Sequence, residues 1–337
     1  MNRHSALMLI LLLVASAGAQ DQPKRLGEIE FFGSAGIDLD KIRAALPFRE
    51  GDEFDIETAG DKVTRTEEAV RRVTGHSPTD ISSTCCDDSG NWIIFIGLAA
   101  KSARYNPRPK GTSKLPSGVI DLYERFTNAV MAAAQKGAAG EDRSKGYALS
   151  EDPMLRATQL EMRAYAIGHE TLVREVLATS ASDQQRIAAA EVLGFARQSR
   201  AQLTALARAS RDGNSLVRNN ATRALLVLAA SNPKLATTQI PPQGFVELLL
   251  SGTWTDLNKS SQLLSLITQV RKPKLLAQLR RGEVQERLLE IARWRTGHAQ
   301  AAQIILGRLA GIDEVRLQQL VSAGQVEVIL NELQGKQ

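Results

Sequence analysis

The sequence predicts two fold classes in one chain, an α+β module in the N-terminal third and an all-α region of repeated helices after it. Apolar and polar residues alternate near the start of the module, and a turn sequence, DDSG, joins two further short apolar runs. From residue 153 onward, apolar residues recur at helical spacing, and one helical pattern returns after 32 residues. Alanine, leucine and arginine dominate the second half of the chain. The two halves should therefore differ in fold class.

The first nineteen residues, MNRHSALMLILLLVASAGA, predict a secretory signal peptide. Arg3 and His4 precede an apolar run over residues 6–15, and the small residues 17–19 lead to a cleavage point before Gln20. The apolar run is too short to span a bilayer comfortably, so a retained membrane anchor is the weaker alternative. We expect a mature chain outside the cytoplasm, with no membrane span.

Charge is distributed unevenly along the chain, whose formal net charge is +5. Residues 20–100 carry 9 basic and 16 acidic side chains, residues 101–118 carry 5 and none, and residues 119–337 carry 27 and 21. The basic excess is thus spread over the linker and the helical region. Because the predicted leader also removes the chain from nucleic acid, we interpret this excess as a solvated surface and expect no nucleic-acid partner.

The segment 20–100 predicts a β-α-α-β-β module. In LGEIEFFG, apolar residues alternate with glutamates, as in a strand with one buried face. IDLDKIRAALPF then predicts a short helix capped by Asp38 and ended by Pro47. IETAGDKVTRTEEAVRRVTG has the spacing of a second amphipathic helix, ending near Gly75. Strands at 79–86 and 91–98, joined by DDSG, close the module as a hairpin.

This order of elements, with EIEFFG at its start, LPFREGDEF after the first helix and a final hairpin, resembles the polypeptide-transport-associated (POTRA) domain. The resemblance covers about 75 residues and rests on spacing and on the GDEF turn. It implies a place in the bacterial envelope, here the periplasm, and binding of other polypeptides, often along an exposed strand edge. The chain differs from the usual family pattern in carrying a single copy.

Cys85 and Cys86 are the only cysteines. Adjacent Cα atoms lie about 3.8 Å apart across a trans peptide, which is below the usual disulfide range. We therefore favour two small apolar residues packed in the hairpin. A strained disulfide acting as a redox-sensitive pair, or a metal site that includes His76, are the alternatives.

Residues 101–118, KSARYNPRPKGTSKLPSG, contain three prolines, two glycines and no acid, and so predict an extended basic linker at a domain boundary. A helix is expected at 119–135, where apolar residues return at helical spacing. The polar stretch 136–152, KGAAGEDRSKGYALSED, is expected to be an exposed loop.

The sequence of residues 153–337 predicts a series of consecutive helices. In DGNSLVRNNATRALLVLA, apolar residues form one stripe and leave the arginines and asparagines mainly outside it. RIAAAEVLGFA, from Arg186, matches RNNATRALLVL, from Arg218, at the offset of 32, and HAQAAQIILGRLAGI repeats the pattern more weakly. A period of about thirty to forty residues, one helical hairpin each, is typical of an α-solenoid.

An acidic residue, a Val-Arg pair and an Ala-x-x-x-Leu helix recur in this region and resemble HEAT repeats. The resemblance is strongest over residues 183–230 and weaker over 153–182 and 231–337. In HEAT proteins the repeated Asp and Arg typically brace neighbouring repeats, so the resemblance implies a structural role here, with ligand contact as the alternative. The residues concerned are Asp183, Arg186, Asp212 and Arg218.

Two tryptophans and two histidines of the helical region are candidate site residues. Trp254 and Trp294 lie in its divergent C-terminal part, where large aromatics often fill gaps between irregular helices. If exposed, they are candidate anchors for a partner. His169 and His298 each follow a glycine, and we predict a capping or loop position for both.

The sequence contains no serine elbow, metal-ligand spacing, phosphate loop or carboxylate pair in a catalytic context. We therefore predict no catalytic residue, cofactor or metal. Solenoids typically bind a peptide or folded partner over an extended surface, which favours a non-enzymatic, protein-binding scaffold of the bacterial envelope. Two alternatives are a HEAT-type enzyme, since HEAT-like folds include DNA glycosylases and chromophore lyases, and a redox-sensitive scaffold using the cysteine pair.

Overall fold

The computed structural model of the chain describes residues 25–54, 60–99, 103–138 and 140–335. The predicted signal peptide lies outside these residues. A small region containing a sheet comes first, and a mostly helical body follows it. This confirms the coarse prediction of an α+β region followed by a mostly helical one. No helix in the described ranges is both long enough and apolar enough to cross a membrane.

In the N-terminal module, the described residues 25–54 and 60–99 contain five elements in β-α-α-β-β order. They are β1 (Leu26–Phe32), α1 (Leu39–Ala45), α2 (Gly60–Thr74), β2 (Asp80–Cys85) and β3 (Trp92–Gly97). β3 lies in the middle of the sheet, parallel to β1 and antiparallel to β2. The side chain of Asp38 accepts a hydrogen bond from Lys41 N at the start of α1, the capping position predicted for it.

Both faces of the sheet are covered. One face, including Phe31 and Ile96, packs with the buried side chains of α1 and α2. The other face, including Phe32 and Phe95, belongs to the hydrophobic core of the helical body. The prediction that β1 has a single buried face is therefore wrong. Glu30, expected on a solvent face, is 7% exposed because the helical body covers it.

The helical body begins with α3 and a two-stranded hairpin and continues through twelve more helices. These elements are α3 (Ser117–Gln135), β4 (Glu141–Asp142), β5 (Leu149–Ser150), α4 (Pro153–Thr179), α5 (Asp183–Gly194), α6 (Arg200–Ala209), α7 (Ser215–Ser231), α8 (Pro233–Gln239), α9 (Gln243–Leu248), α10 (Trp254–Ile267), α11 (Pro273–Leu279), α12 (Gly282–Ala292), α13 (Gln300–Leu309), α14 (Glu314–Ser322) and α15 (Val326–Gln334). The helices α4, α5, α7, α10, α13 and α15 contact one another in that order. They form a row that the remaining helices flank.

Local sequence signals explain where many of these helices begin. Six N-cap side chains accept hydrogen bonds from backbone N–H groups of the first turn: Asp152, Ser182, Ser199, Asn214, Asn232 and Asp313. Small residues permit close packing within the row. A Cβ added at Gly194 in α5 would lie 3.0 Å from the Cβ of Ala224 in α7. His169, predicted at a capping or loop position, lies at a kink inside α4, where its non-helical backbone angles (φ −132°, ψ 24°) separate two helical segments.

The segment 136–152, predicted as an exposed loop, is only partly exposed. Glu141 and Asp142 pair with Ser150 and Leu149 to form the β4–β5 hairpin. Leu149 is 4% and Ser150 is 1% exposed. The stretch is mostly polar, and for that reason its sequence predicts an exposed loop. Its few apolar residues are buried by the neighbouring helices.

The linker is extended where the structure describes it, from residue 103 onward, and it is bound to the helical body. Asn106 N donates to Arg211 O at 2.6 Å, and Gly111 N donates to Thr179 O at 2.7 Å. A Cβ at Gly111 would lie 2.6 Å from Thr179 O, so this close approach requires a glycine. The linker therefore follows the turns between helices and does not act as a free tether.

Candidate functional site

The residues predicted to brace the repeats make buried ion pairs. Arg186 on α5 donates to both carboxylate oxygens of Asp212 at 2.8 and 2.9 Å and to Asp183 at 2.9 Å. The Arg186 side chain is 1% exposed. Asp212 precedes α7, and its carbonyl oxygen accepts a hydrogen bond from Arg218 at 3.0 Å. These contacts link α5 to the start of α7.

Arg218 extends the chain of ion pairs to α10. Its guanidinium donates to Asp256 over distances of 2.7 to 3.0 Å, and the two side chains are 3% and 1% exposed. The ring of Tyr105, from the linker, lies 4.1 Å from the guanidinium carbon. Neither Asp256 nor Tyr105 was predicted from the sequence to take part in these contacts. The charges of Arg186, Asp212, Arg218 and Asp256 satisfy one another, which leaves little capacity for a ligand.

The two tryptophans considered as partner anchors contact the N-terminal module of the same chain. Trp254 stacks on Phe95 with ring centroids 4.6 Å apart, and Trp294 lies 4.9 Å from the same ring. The indole N–H of Trp294 donates to Phe31 O at 3.0 Å. Trp254 is 7% and Trp294 5% exposed. Both rings are buried and unavailable to an external partner in this arrangement.

Polar contacts surround this aromatic interface. The carboxylate of Glu290 on α12 accepts from Gly33 N at 2.9 Å and from Ser34 N at 2.8 Å. Asp80 accepts from Trp254 N at 2.8 Å, and burial raises the pKa of its carboxyl group. Arg295 donates to Glu50, and this hydrogen bond lowers the pKa of the glutamate. The module is thus held by hydrogen bonds and ion pairs as well as by apolar burial.

His298 lies in the same interface rather than on the surface. Its ring faces Phe95 and Trp254 edge-on at 5.7 and 5.4 Å, and its Nδ1 lies 3.3 Å from Asn258 Oδ1. Burial, with a smaller contribution from the positive charge of Lys259, lowers the pKa of His298 to about 4. The imidazole is therefore neutral at physiological pH.

This burial predicts an acid-sensitive interface. The folded-state pKa of His298 lies below its ordinary value of 6.5, so the unfolded chain takes up the proton first as pH falls. Stability should be fully present above about pH 6.5 and should decline towards pH 4, by on the order of 2 kcal/mol. The variant His298→Gln should lose this part of the pH dependence in chemical denaturation. Parallel pH profiles for the two proteins would contradict the burial of a neutral histidine.

A second group of charges, named here the charged cluster, joins the hairpin to three helices of the row. It consists of Glu141 and Arg143 from the hairpin, Glu191 on α5, Arg223 on α7 and Lys259 on α10. Arg223 donates to Glu141 and lies 3.8 Å from Glu191. Arg143 pairs with Glu141 at 2.9 Å. None of these residues was singled out from the sequence.

Burial shifts the titration of the charged cluster. It raises the pKa of Glu191 and lowers that of Lys259 to about 8, and the nearby charges of Arg223 and Arg143 also lower the lysine value. For Glu141, burial acts to raise the pKa, but the two arginines outweigh it and the net shift is downward. Strongly shifted groups gathered in one place are typical of ligand or catalytic sites.

The cysteine pair lies at the end of β2. The structure joins Cys85 and Cys86 as a disulfide, in contrast to the expectation of two packed thiols. The nearest histidine, His76, directs its ring towards Ser77 O, with Nδ1 3.1 Å from that oxygen. In the described part of the chain, no three His, Cys, Asp or Glu side chains gather as a metal site would require. A redox role for the pair stays a prediction.

Two open grooves flank α6 on the outside of the row. One of about 1110 Å³ lies between α6 and the α8–α9 region, and another of about 540 Å³ lies between α6 and the linker. Both are lined by Arg200, Thr204 and Arg208, whose side chains are exposed. Arginines in such positions are ordinarily solvated, so the grooves by themselves define no ligand.

Comparison with protein-family models, with curated proteins and with solved structures found no match to this chain.

Proposed function

We propose that the chain is a non-enzymatic, protein-binding scaffold of the bacterial cell envelope. In this proposal the N-terminal module is POTRA-like and binds a polypeptide, and the helical body is a HEAT-like solenoid that holds the module in place. The partner is a protein of unassigned identity. The observation that carries the proposal is a difference between the two edge strands of the sheet, β1 and β2. Other parts of the chain form hydrogen bonds along the outer edge of β1, whereas no strand pairs with the outer edge of β2 among the described residues.

The outer edge of β1 is occupied by other parts of the chain. Leu26 N donates to Asp52 O at 2.8 Å, Gly51 N donates to Leu26 O at 2.6 Å, and Ile29 N donates to Glu50 Oε1 at 3.1 Å. Further along β1, Phe31 O accepts the indole N–H of Trp294. This edge therefore has few free backbone groups to offer a partner.

The outer edge of β2 differs. Within the described residues, β2 pairs with β3 alone and has no strand on its other side. All six of its side chains are half-buried, and Ser82, Ser83 and Thr84 give it a polar centre. A strand edge with no neighbouring strand can receive an extended peptide through backbone hydrogen bonds, with side-chain contacts supplying specificity. Because both faces of the sheet are covered, strand addition at β2 is the mode of binding that this module favours.

Site-specific crosslinking in intact cells tests the proposal. With a photoreactive amino acid at Ser82 of full-length protein, we expect a covalent adduct with a polypeptide of the envelope. The same amino acid at Thr204, an exposed position on α6, is the matched control and should give no such adduct. Equal capture at both positions, or none at Ser82, would overturn strand addition at β2.

The envelope location is tested separately on the same protein. Mass spectrometry of the mature N-terminus should find cleavage before Gln20, and fractionation should place the processed chain in the periplasm. An uncleaved cytosolic chain would contradict the location, whatever crosslinking shows. The two results together separate the compartment from the mode of binding.

A further inference from the structure

The solvent side of α4 carries an apolar stripe. The exposed apolar residues on this side, all before the kink at His169, are Pro153, Met154, Ala157, Leu160, Ala164 and Ile167. Met154 is 71% exposed and Leu160 is 47% exposed. α4 is the first helix of the row, and the end of a helical array ordinarily presents polar residues to solvent. A continuous apolar stripe at this position is therefore a candidate interaction surface.

The stripe has the spacing of a coiled-coil seam. Ala157, Leu160, Ala164 and Ile167 follow one another at steps of three, four and three residues. This alternation keeps apolar side chains on one line along a helix and is completed when a second helix packs against that line. The neighbours of α4 within the described chain, α3, α5, α6 and β5, pack on the rest of its surface. The seam thus has the pattern of a helix–helix contact but no second helix.

Large and small side chains alternate along this seam, which makes it complementary to itself. Consider a second copy of α4 that runs antiparallel about a two-fold axis midway between Leu160 and Ala164. Leu160 of each copy then lies opposite Ala164 of the other, and Ile167 lies opposite Ala157. Each large side chain meets a small one at every layer, as close packing requires. A parallel pair in register would leave a gap at each alanine.

The charges on one flank of the seam favour the same orientation. Arg156 lies towards the N-terminal end of this flank, and Glu170, just after the kink, lies towards its C-terminal end. An antiparallel copy brings Arg156 near Glu170 of the other copy, whereas a parallel copy places like charges side by side. Arg163, between them, is turned towards its own chain and donates to a backbone carbonyl oxygen there at 3.0 Å.

The charges on the opposite flank are compensated near the two-fold axis. Glu161 would lie close to its own equivalent in the second copy. It is paired with Arg125 of α3 at 2.7 Å, and the two side chains are 51% and 56% exposed. The axis therefore brings together two ion pairs instead of two free carboxylates, and Arg125 of each copy can also attract Glu161 of the other.

We propose that α4 is a self-association surface, on which two copies of this chain pair their seams antiparallel about a two-fold axis. A contact made by one helix from each copy is at the small end of specific interfaces, so the dimer forms reversibly and depends on concentration. This inference goes beyond the proposed function and does not require strand addition at β2. A dimer carries two β2 edges, so a polypeptide with two binding segments would be held more tightly.

Sedimentation velocity of the chain purified from cells, over a range of concentrations, tests self-association. We expect a monomer–dimer equilibrium. Leu160→Glu should raise the dissociation constant by about a hundredfold or more, because each copy would then bury an unpaired carboxylate in the seam. Leu160 is exposed in the monomer, so this variant should keep its circular dichroism spectrum. Leu216→Glu is the matched control on α7, where Leu216 is 53% exposed, and it should leave the dissociation constant unchanged.

Disulfide trapping tests the orientation. A mixture of Ala157→Cys and Ile167→Cys proteins should form a crosslinked heterodimer, because these positions lie opposite each other in the antiparallel pair. Each variant alone should form little crosslinked dimer, and the unmodified protein should form none. Efficient trapping of each variant with itself would indicate a parallel pair and would overturn the antiparallel arrangement.

Three results would overturn self-association through α4. The first is a monomer at every concentration, and the second is a dimer that Leu160→Glu leaves intact. The third is a monomer that captures a different protein through this stripe, shown by loss of that protein in the Leu160→Glu variant. Crosslinking from Ser82 should be the same with and without Leu160→Glu, so a failure at β2 is distinguishable from a failure at α4.

Discussion

Replacing Asp256 by alanine is expected to destabilise the protein by about 3–5 kcal/mol, because it leaves the buried Arg218 guanidinium without its partner. The two side chains are 3% and 1% exposed and are joined by hydrogen bonds of 2.7 to 3.0 Å. Asp256 also accepts a hydrogen bond from Ser251 at 2.7 Å, which the substitution removes. Urea denaturation of the full-length protein measures the effect.

A surface ion pair supplies the control for this prediction. Arg125 and Glu161 are 56% and 51% exposed and lie 2.7 Å apart, so Glu161→Ala should cost at most about 1 kcal/mol. The double variant Arg218→Met/Asp256→Leu should be more stable than Asp256→Ala, because it leaves no buried charge unpaired. A loss of less than about 1 kcal/mol for Asp256→Ala would show that the pair does not brace α7 against α10.

The variant Trp294→Ala is expected to lower the free energy of unfolding by about 3–5 kcal/mol, as truncation of a buried aromatic side chain does. The ring contacts Phe95 across the interface between the module and the helical body. The N-terminal module should therefore lose its attachment at the same time. Hydrogen exchange should become faster in β1 and β3, whereas the α5–α7 region should keep its protection. Uniformly faster exchange would contradict a role confined to the interface.

The two tryptophans provide a matched comparison because only one makes a hydrogen bond. The Trp294 indole donates to Phe31 O, whereas the Trp254 indole N–H is buried without a partner among the described residues. Trp294→Phe should therefore cost about 1–2 kcal/mol more than Trp254→Phe. Equal losses would mean that ring packing alone holds the module.

The sequence repeat predicts some of the residues that brace the helices but not all of them. Arg186 and Arg218 occupy equivalent positions 32 residues apart, and Asp212 precedes the helix that contains Arg218. Because of this regular spacing, the sequence predicts a bracing role for all three residues. Asp256 was missed because it lies 38 residues after Arg218, in a segment where the repeat pattern has diverged. The same charge–charge contact therefore occurs there without the pattern that would predict it.

The charged cluster could not be found from sequence for a related reason. Arg223 and Glu141 are 82 residues apart, and each is an ordinary charge in its own segment. From the sequence alone, a lysine at position 259 is expected on the exposed face of an amphipathic helix. Its burial arises only when the hairpin and the neighbouring helices surround it, so its shifted pKa is a property of the packed chain.

The sequence by itself determined the local structure: the order of strands and helices in the module, the capped starts of several helices, and the change to a mostly helical body. Neighbouring residues encode these features through periodicity, caps and turns. Only the tertiary structure decided that the sheet is buried on both faces, that Trp254 and Trp294 contact the module, and that Arg223 pairs with Glu141 of the hairpin. Such contacts join residues as much as 263 positions apart, and they depend on surfaces that exist only after the helices have packed.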